Sequence, residues 1–192
     1  KYIEKRQKEI KDTAPSTFKA GNPWIEEGRD NKFVLESSQP RPDSGTTHLG
    51  VIDKDGNAVS ITNTIMSGFG SGIIPKNTGV VMNNGMMWYD PTPNRVNSIA
   101  SGKFPLNNMT PALVIGKDGV EISVGASGGR RITNCVTSLL VKMIDYKMSP
   151  QKAIDEPRVD CSSMTTDVSP ELDINVIKEL TDKGHKMRVL GE

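Results

Sequence analysis

Polar and apolar residues along this chain change their period twice, and the changes divide it. Over residues 1 to about 12 the run Lys1-Tyr-Ile-Glu-Lys-Arg-Gln-Lys-Glu-Ile10 has helical spacing, which Pro15 and Pro23 then break. Residues 35–45, rich in Ser, Pro, Asp and Gly, read as a surface connection. From Thr46 the period becomes two. Leu49 and Val51 fall on one face and His48, Gly50 and Ile52 on the other, so the strand is expected to be covered on both faces near its end. Asp53-Lys-Asp-Gly-Asn57 predicts a tight turn, and Ala58-Val-Ser-Ile-Thr-Asn-Thr64 the returning strand of a hairpin. Further short strands are predicted at 79–84, 112–115 and 120–124. The apolar stripe Ile132, Cys135, Val136, Leu139, Leu140, Met143 and Ile144 predicts a helix facing a core, with Cys135 as a buried thiol. Ser149-Pro150 and Ser169-Pro170 each look like an N-cap followed by proline at the first helical position, and the second helix should run over 170–183 and stop at Gly184. His185 to Leu190 predicts one more strand. Helices interleaved with short strands argue for a layered α+β domain.

The hairpin carries the first chemical signal. If its turn centres on Asp55-Gly56, residues 64 to 66 lie across from Thr46, so Thr64 can reach the Thr46 hydroxyl. Thr46 follows Gly45 at the junction of loop and strand, where the chain can cut itself. A threonine that becomes a new amino terminus holds both a nucleophilic hydroxyl and an α-amine to take its proton. Taken singly, Thr46, Thr47, Thr62 and Thr64 are also ordinary β-branched strand residues. The second signal is Gly125-Ala-Ser-Gly-Gly129 between a strand and a helix. There the N–H groups of Gly128 and Gly129, near the positive end of the helix dipole, can face an oxyanion. The same glycines would also serve close packing at a strand-to-helix corner. Arg130 and Arg131 place positive charge beside that turn, or else extend into solvent as helix residues. Asn107 and Asn108, adjacent amides ahead of the strand at 112–115, suit either a turn or a substrate carboxylate. Ser67-Gly-Phe-Gly-Ser-Gly72 lacks the Gly-Lys-Ser/Thr ending of a phosphate loop.

Composition narrows the function classes. The chain has 192 residues, 35% of them hydrophobic, a size and balance suited to one globular domain with a peripheral arm. Its 24 basic and 23 acidic residues are interspersed, so no basic stripe argues for nucleic acid. No apolar run reaches the roughly 18 residues a membrane span needs, and no membrane partner is expected. His48 and His185 lack companions at ligand spacing, Cys161 fits no framework with Cys135, and neither a metal nor a cofactor is expected. A chain that begins without methionine reads as part of a longer protein.

Thr46-Thr-His-Leu, Asp55-Gly-Asn-Ala-Val-Ser-Ile-Thr-Asn-Thr64, Ser67-Gly-Phe-Gly-Ser-Gly72, Val81-Met-Asn-Asn84, Pro105-Leu-Asn-Asn-Met109, Ser127-Gly-Gly-Arg-Arg-Ile132 and Glu156-Pro-Arg158 stand in the order found in γ-glutamyltransferases, also called γ-glutamyltranspeptidases, and the chain resembles that family over most of residues 46–160. The resemblance implies an N-terminal-nucleophile hydrolase with a four-layer αββα sandwich. Residues 1–45 would be the end of the large subunit with its processing loop, and 46–192 a C-terminally truncated small subunit. It also implies cleavage between Gly45 and Thr46, with Thr46 as nucleophile, Thr64 orienting it, and Gly128 and Gly129 as oxyanion hole. Asn107 and Asn108 stand where paired serines bind the substrate's α-carboxylate. The implied partners are the large subunit of the same precursor and a small-molecule or peptide γ-glutamyl substrate.

Three positions depart from the family pattern. Met66 stands where an asparagine is usual, Gly85 where an acidic residue or glutamine follows Asn83-Asn84, and Trp88 where an aspartate receives the substrate's α-amine. A buried ammonium without its carboxylate is costly, so the substrate is expected to lack that amine or hold it elsewhere. Related acylases of glutaryl amides and enzymes of poly-γ-glutamate fit this, with Arg130 meeting a carboxylate. A binding protein that keeps the fold without catalysis is the alternative from another class.

Overall fold

In the computed structural model the described residues are 2–15 and 45–191; the expected connection at 35–44 and the break at Pro23 lie outside them. The N-terminal helical pattern yields one short helix, α1 (Tyr2–Gln7). Beyond it the Ala14 N–H donates to the carbonyl of Lys183 at 2.8 Å, tying this arm to the C-terminal part of the chain.

The expected hairpin forms from β1 (Thr46–Ile52) and β2 (Ala58–Thr64), with Thr46 directly opposite Thr64 and His48 opposite Thr62. Its turn is organised by Asp53, whose carboxylate accepts from the N–H groups of Asp55 and Asn57 and from the Asn57 side chain, each at 2.9 Å. The strand is not covered on both faces among the described residues. Leu49, Val51, Val59 and Ile61 form an exposed apolar outer face, and Ile52 is exposed as well. A second hairpin, β3 (Ala112–Gly116) and β4 (Gly119–Val124), packs against the first, and the Ser60 hydroxyl donates to the Val124 carbonyl at 3.3 Å. No strand forms at 79–84. Within it Gly79 is left-handed at φ 65°, and the segment makes only isolated backbone bonds, Ser71 N–H to Met82 O, Met82 N–H to Ile73 O and Asn84 N–H to Ile65 O.

The helical stripe becomes α2 (Arg131–Ile144), with Ile132 and Val136 buried; Cys135 is only half-buried, at the edge of that stripe. Ser149 caps α3 (Pro150–Asp155) as expected, accepting from Lys152 N–H at 3.4 Å. The next helix, α4 (Ile174–Asp182), starts later than Ser169-Pro170 predicts. The Ser169 hydroxyl is taken by the Arg158 N–H at 3.0 Å, and Asp173 caps the helix instead by accepting from Asn175 N–H at 2.8 Å. Gly184 stops α4 at φ +95°. A three-stranded sheet completes the described residues: β5 (Val159–Asp160) runs antiparallel to β6 (Thr166–Val168), which runs parallel to β7 (Met187–Val189). The buried apolar residues Met66, Ile132, Val136, Ala153 and Val168 form a small core beneath these elements. The architecture is α+β.

Candidate active site

Register does the first work. Because Thr46 and Thr64 occupy the same rung of an antiparallel pair, their side chains leave on one face, and the Thr46 Oγ1 donates to the Thr64 Oγ1 at 2.9 Å. The Thr64 Oγ1 also accepts from the Met66 N–H at 2.9 Å, which fixes its position. Met66 reaches back this way because its backbone is left-handed, at φ 69°, and its side chain is buried at 2% exposure. Gly45, at φ 94°, presents its carbonyl to the Ile65 N–H at 3.3 Å. The bond between Gly45 and Thr46 is therefore held at both sides, by Thr64 at the end of β2 and by Ile65 just after it.

His48, two residues beyond Thr46 on the same face, joins the hairpin to the glycine turn. Its Nδ1 lies 3.0 Å from the Thr62 Oγ1, repeating the Thr46–Thr64 contact one step along. Its buried Nε2 has no hydrogen-bond partner among the described residues. The ring fills the space where Gly125 would carry a side chain: a Cβ there would sit 2.1 Å from the Nδ1. Gly125 therefore has to be glycine for β1 and the Gly125–Gly129 segment to approach this closely. Sequence reasoning assigned His48 no role beyond structure; only the packing of the two hairpins reveals the link.

The glycine turn leads into α2. Gly128 and Gly129 both have positive φ, 126° and 61°, and Gly129 is buried. Their carbonyls accept from Arg131 N–H and Ile132 N–H, each at 3.2 Å, which opens α2, while neither glycine N–H donates within the described residues. Two unspent donors at the positive end of a 14-residue helix suit a developing negative charge. Arg130 is exposed beside them. Arg131 instead turns towards protein carboxylates, with Nη2 2.9 Å from Asp167 Oδ2 and Nε 3.4 Å from Asp160 Oδ2. The Arg188 guanidinium, then the charge of Arg131, holds the Asp167 carboxyl below the usual carboxylate range against the opposing effect of burial. Asp160 and Asp167 carry no periodic signal, and sequence reasoning missed both.

Asn107 and Asn108 precede β3. The Asn107 carbonyl oxygen Oδ1 accepts from Met109 N–H at 3.2 Å, an Asx-type turn. Asn108 is tied in through its backbone carbonyl, which accepts from Thr110 Oγ1 at 3.2 Å, and that hydroxyl lies 3.1 Å from the Thr133 Oγ1 on α2. The amide pair is thus anchored to the first turn of the helix that the glycines open.

Met66, Gly85 and Trp88 cluster next to Thr64. Asn84 clasps Ser67 from both sides, accepting from its N–H at 3.1 Å and donating to its hydroxyl at 2.9 Å, and its own N–H donates to Ile65 O at 3.3 Å. That clasp sets the 3-10 turn Gly85–Trp88 against the segment holding Met66. A Cβ on Gly85 would lie 2.9 Å from Asn83 Oδ1 and 3.3 Å from the Trp88 ring, so the Asn83 amide and the indole together occupy the room a larger residue at 85 would need. A cavity of about 340 Å³ opens elsewhere, from Gly128 along α2 to Arg158, lined by Arg131, Asn134, Cys135 and Asp160; neither Thr46 nor Thr64 lines it.

Comparison with known proteins places the chain in a wider group. The sequence profile of the gamma-glutamyltranspeptidase family matches residues 1–192. The chain is 35% identical over 191 residues to the glutathione hydrolase proenzyme of Bacillus subtilis (strain 168), covering 96% of this chain and 32% of that protein, so it spans about a third of its length. A threonine-to-alanine mutant of the gamma-glutamyltranspeptidase of Helicobacter pylori superposes with a TM-score of 0.67 at 29% identity, over 75% of this chain and 84% of that one. The cephalosporin acylase of Bacillus halodurans superposes with a TM-score of 0.74 at 26% identity, over 100% of this chain and 32% of that one.

Proposed function

The chain belongs to the gamma-glutamyltranspeptidase family, and from that premise we propose that it carries the cut site and nucleophile of a self-processing γ-glutamyltransferase or hydrolase. Its fold is the N-terminal-nucleophile hydrolase type. Residues 1–45 act as the end of the large subunit and its processing loop, and residues from 46 onward as the small, catalytic subunit.

The observation that carries this reading is the 2.9 Å hydrogen bond between Thr46 Oγ1 and Thr64 Oγ1 at the residue following Gly45. In processing, Thr46 Oγ1 attacks the Gly45 carbonyl carbon, its proton passes to the Thr46 nitrogen as the Gly45–Thr46 peptide C–N bond breaks to leave an ester and a free amine, and water then hydrolyses the ester to a Gly45 carboxylate and the Thr46 hydroxyl. That amine, with an ordinary pKa of about 7.7 to 8.0, serves as general base without a histidine. In turnover it accepts the hydroxyl proton while Thr46 Oγ1 bonds to the γ-carbonyl carbon of an amide. The Gly128 and Gly129 N–H groups hold the oxyanion, the amide C–N bond breaks, and the proton passes to the leaving amine. Water or an amine acceptor then cleaves the acyl-enzyme ester and returns the proton to Thr46. Asn107 and Asn108 bind the substrate carboxylate, with Arg130 as a second anchor.

Met66, Gly85 and Trp88, which offer no carboxylate to an ammonium, favour an acyl group without a free α-amine, such as a glutaryl amide, or a poly-γ-glutamate chain, over glutathione. The overlap with a cephalosporin acylase supports the same preference.

Purified full-length protein should develop a new amino terminus at Thr46, read by terminal sequencing, and Thr46→Ala should stay intact. A Thr46→Ala protein that still cuts would sink the mechanism. Relative turnover of glutathione, glutaryl amides and poly-γ-glutamate then identifies the acyl group, whereas an intact Gly45–Thr46 bond with no release from γ-glutamyl or glutaryl anilides would instead mark a non-catalytic binding protein.

A further inference from the structure

We propose that Arg131 is a positioning residue that sets the aim of the Gly128 and Gly129 N–H groups, an inference that rests on reading this turn as the oxyanion hole. Arg131 is the first residue of α2, and its N–H closes the turn on Gly128 O at 3.2 Å. Its side chain spans two carboxylates on another sheet, Asp160 through Nε at 3.4 Å and Asp167 through Nη2 at 2.9 Å. These two aspartates are registered partners across β5 and β6. Opposed like charges repel, so a planar cation shared between them has a defined place to sit. One turn further along α2, the Asn134 amide donates to Asp160 Oδ1 at 2.9 Å. The start of the helix is therefore pinned at two adjacent points to a sheet that does not itself carry the nucleophile.

The consequence is geometric. A glycine pair with positive φ at both residues has no side chain of its own to hold its peptide planes, and its neighbours must do so. On the N-terminal side Gly125 is fixed against the His48 ring; on the C-terminal side Arg131 is fixed to Asp160 and Asp167 on another sheet. Oxyanion donors act only when aimed at the position the charge will occupy, so a loosened turn slows acyl transfer without weakening ground-state binding.

The surroundings keep this testable. Asp167, 3% exposed, is also held by Arg188 at 2.7 and 2.8 Å, and Asp160 by Asn134 and Ser162, so removing the Arg131 guanidinium leaves neither carboxylate without a donor. In full-length protein carrying Arg131→Gln, burst titration with a chromogenic γ-glutamyl or glutaryl anilide, whichever the wild type turns over, counts the competent Thr46 sites and gives the acylation rate per site. A loss of roughly 10- to 100-fold per titrated site is expected, with the substrate dissociation constant within about twofold of wild type. Arg131→Lys should recover only part of the rate, because one ammonium does not bridge both carboxylates as the guanidinium fork does. A merely structural role would lower the number of sites and the melting temperature while leaving the rate per site unchanged, and that result overturns the inference. Should Arg131→Gln fail to accumulate, Asp160→Asn decides: a slower per-site rate supports the inference and an unchanged one overturns it. A wild-type protein with neither a burst nor a new Thr46 terminus overturns the functional reading and this inference together.

Discussion

At the level of single residues, the proposed cut site depends on Gly45 as much as on Thr46. The φ of 94° at Gly45 is rarely adopted by residues with a side chain, and a Cβ there would lie 2.9 Å from Ile65 Cγ1. Alanine would therefore rotate the Gly45 carbonyl away from the Ile65 N–H and from the line of attack by Thr46 Oγ1. Gly45→Ala is expected to slow appearance of the Thr46 terminus by about tenfold or more, on the scale of roughly 1 to 2 kcal/mol for a disfavoured positive φ. Intact-mass time courses check this, and processing at the wild-type rate would show that the glycine has no such role. Thr64 was legible in the sequence because hairpin pairing is arithmetic: a tight turn fixes the register, and the register fixes which hydroxyls meet. His48 was not, since its task depends on a glycine 77 positions along the chain whose missing side chain makes room for the ring.

Among elements, the 3-10 turn Gly85–Trp88 is where specificity is expected to reside. Asn84 clasps it to the segment that follows β2, yet its own exposed face is apolar, with Met86 and Met87 flanking the indole. Placing a carboxylate in this turn restores a partner for an ammonium. Trp88→Asp should raise kcat/KM for a γ-glutamyl anilide relative to its glutaryl counterpart by roughly tenfold or more, the scale of one charge-assisted hydrogen bond. An unchanged ratio would mean that the turn does not face the substrate's α-carbon. Strands and helices with strong periodicity or a local cap, such as β1, β2, α2 and α3, were readable in advance. α4 began four residues late because Ser169 found a partner on another segment, and 79–84, with left-handed Gly79 at its start, made only isolated bonds to its neighbours. Both misses are tertiary choices among locally acceptable states.

For the molecule as a whole, the Asp167 node links α2, β6 and β7 and should make stability depend on acid. Its folded pKa lies below the unfolded value, so the contribution is fully present above about pH 4 and is lost as the pH falls through the lower folded value. Melting temperatures from pH 7 to pH 3 should show wild type losing its advantage over Asp167→Asn as the pH drops below about 4; a gap that does not change with pH would contradict this. The sequence by itself determined the α+β class, the hairpin register, the Thr46–Thr64 pair and the strand, glycine turn and helix order, because each is written in local period, turn chemistry or cap. The tertiary structure alone decided that His48 packs on Gly125, that Arg131 rather than Arg130 binds Asp160 and Asp167, and that the apolar face of β1 and β2 is exposed within the described residues. Those outcomes depend on contacts between segments far apart in the chain, where the free energy of packing and ion pairing is set by which surfaces meet and leaves no periodic mark on the sequence.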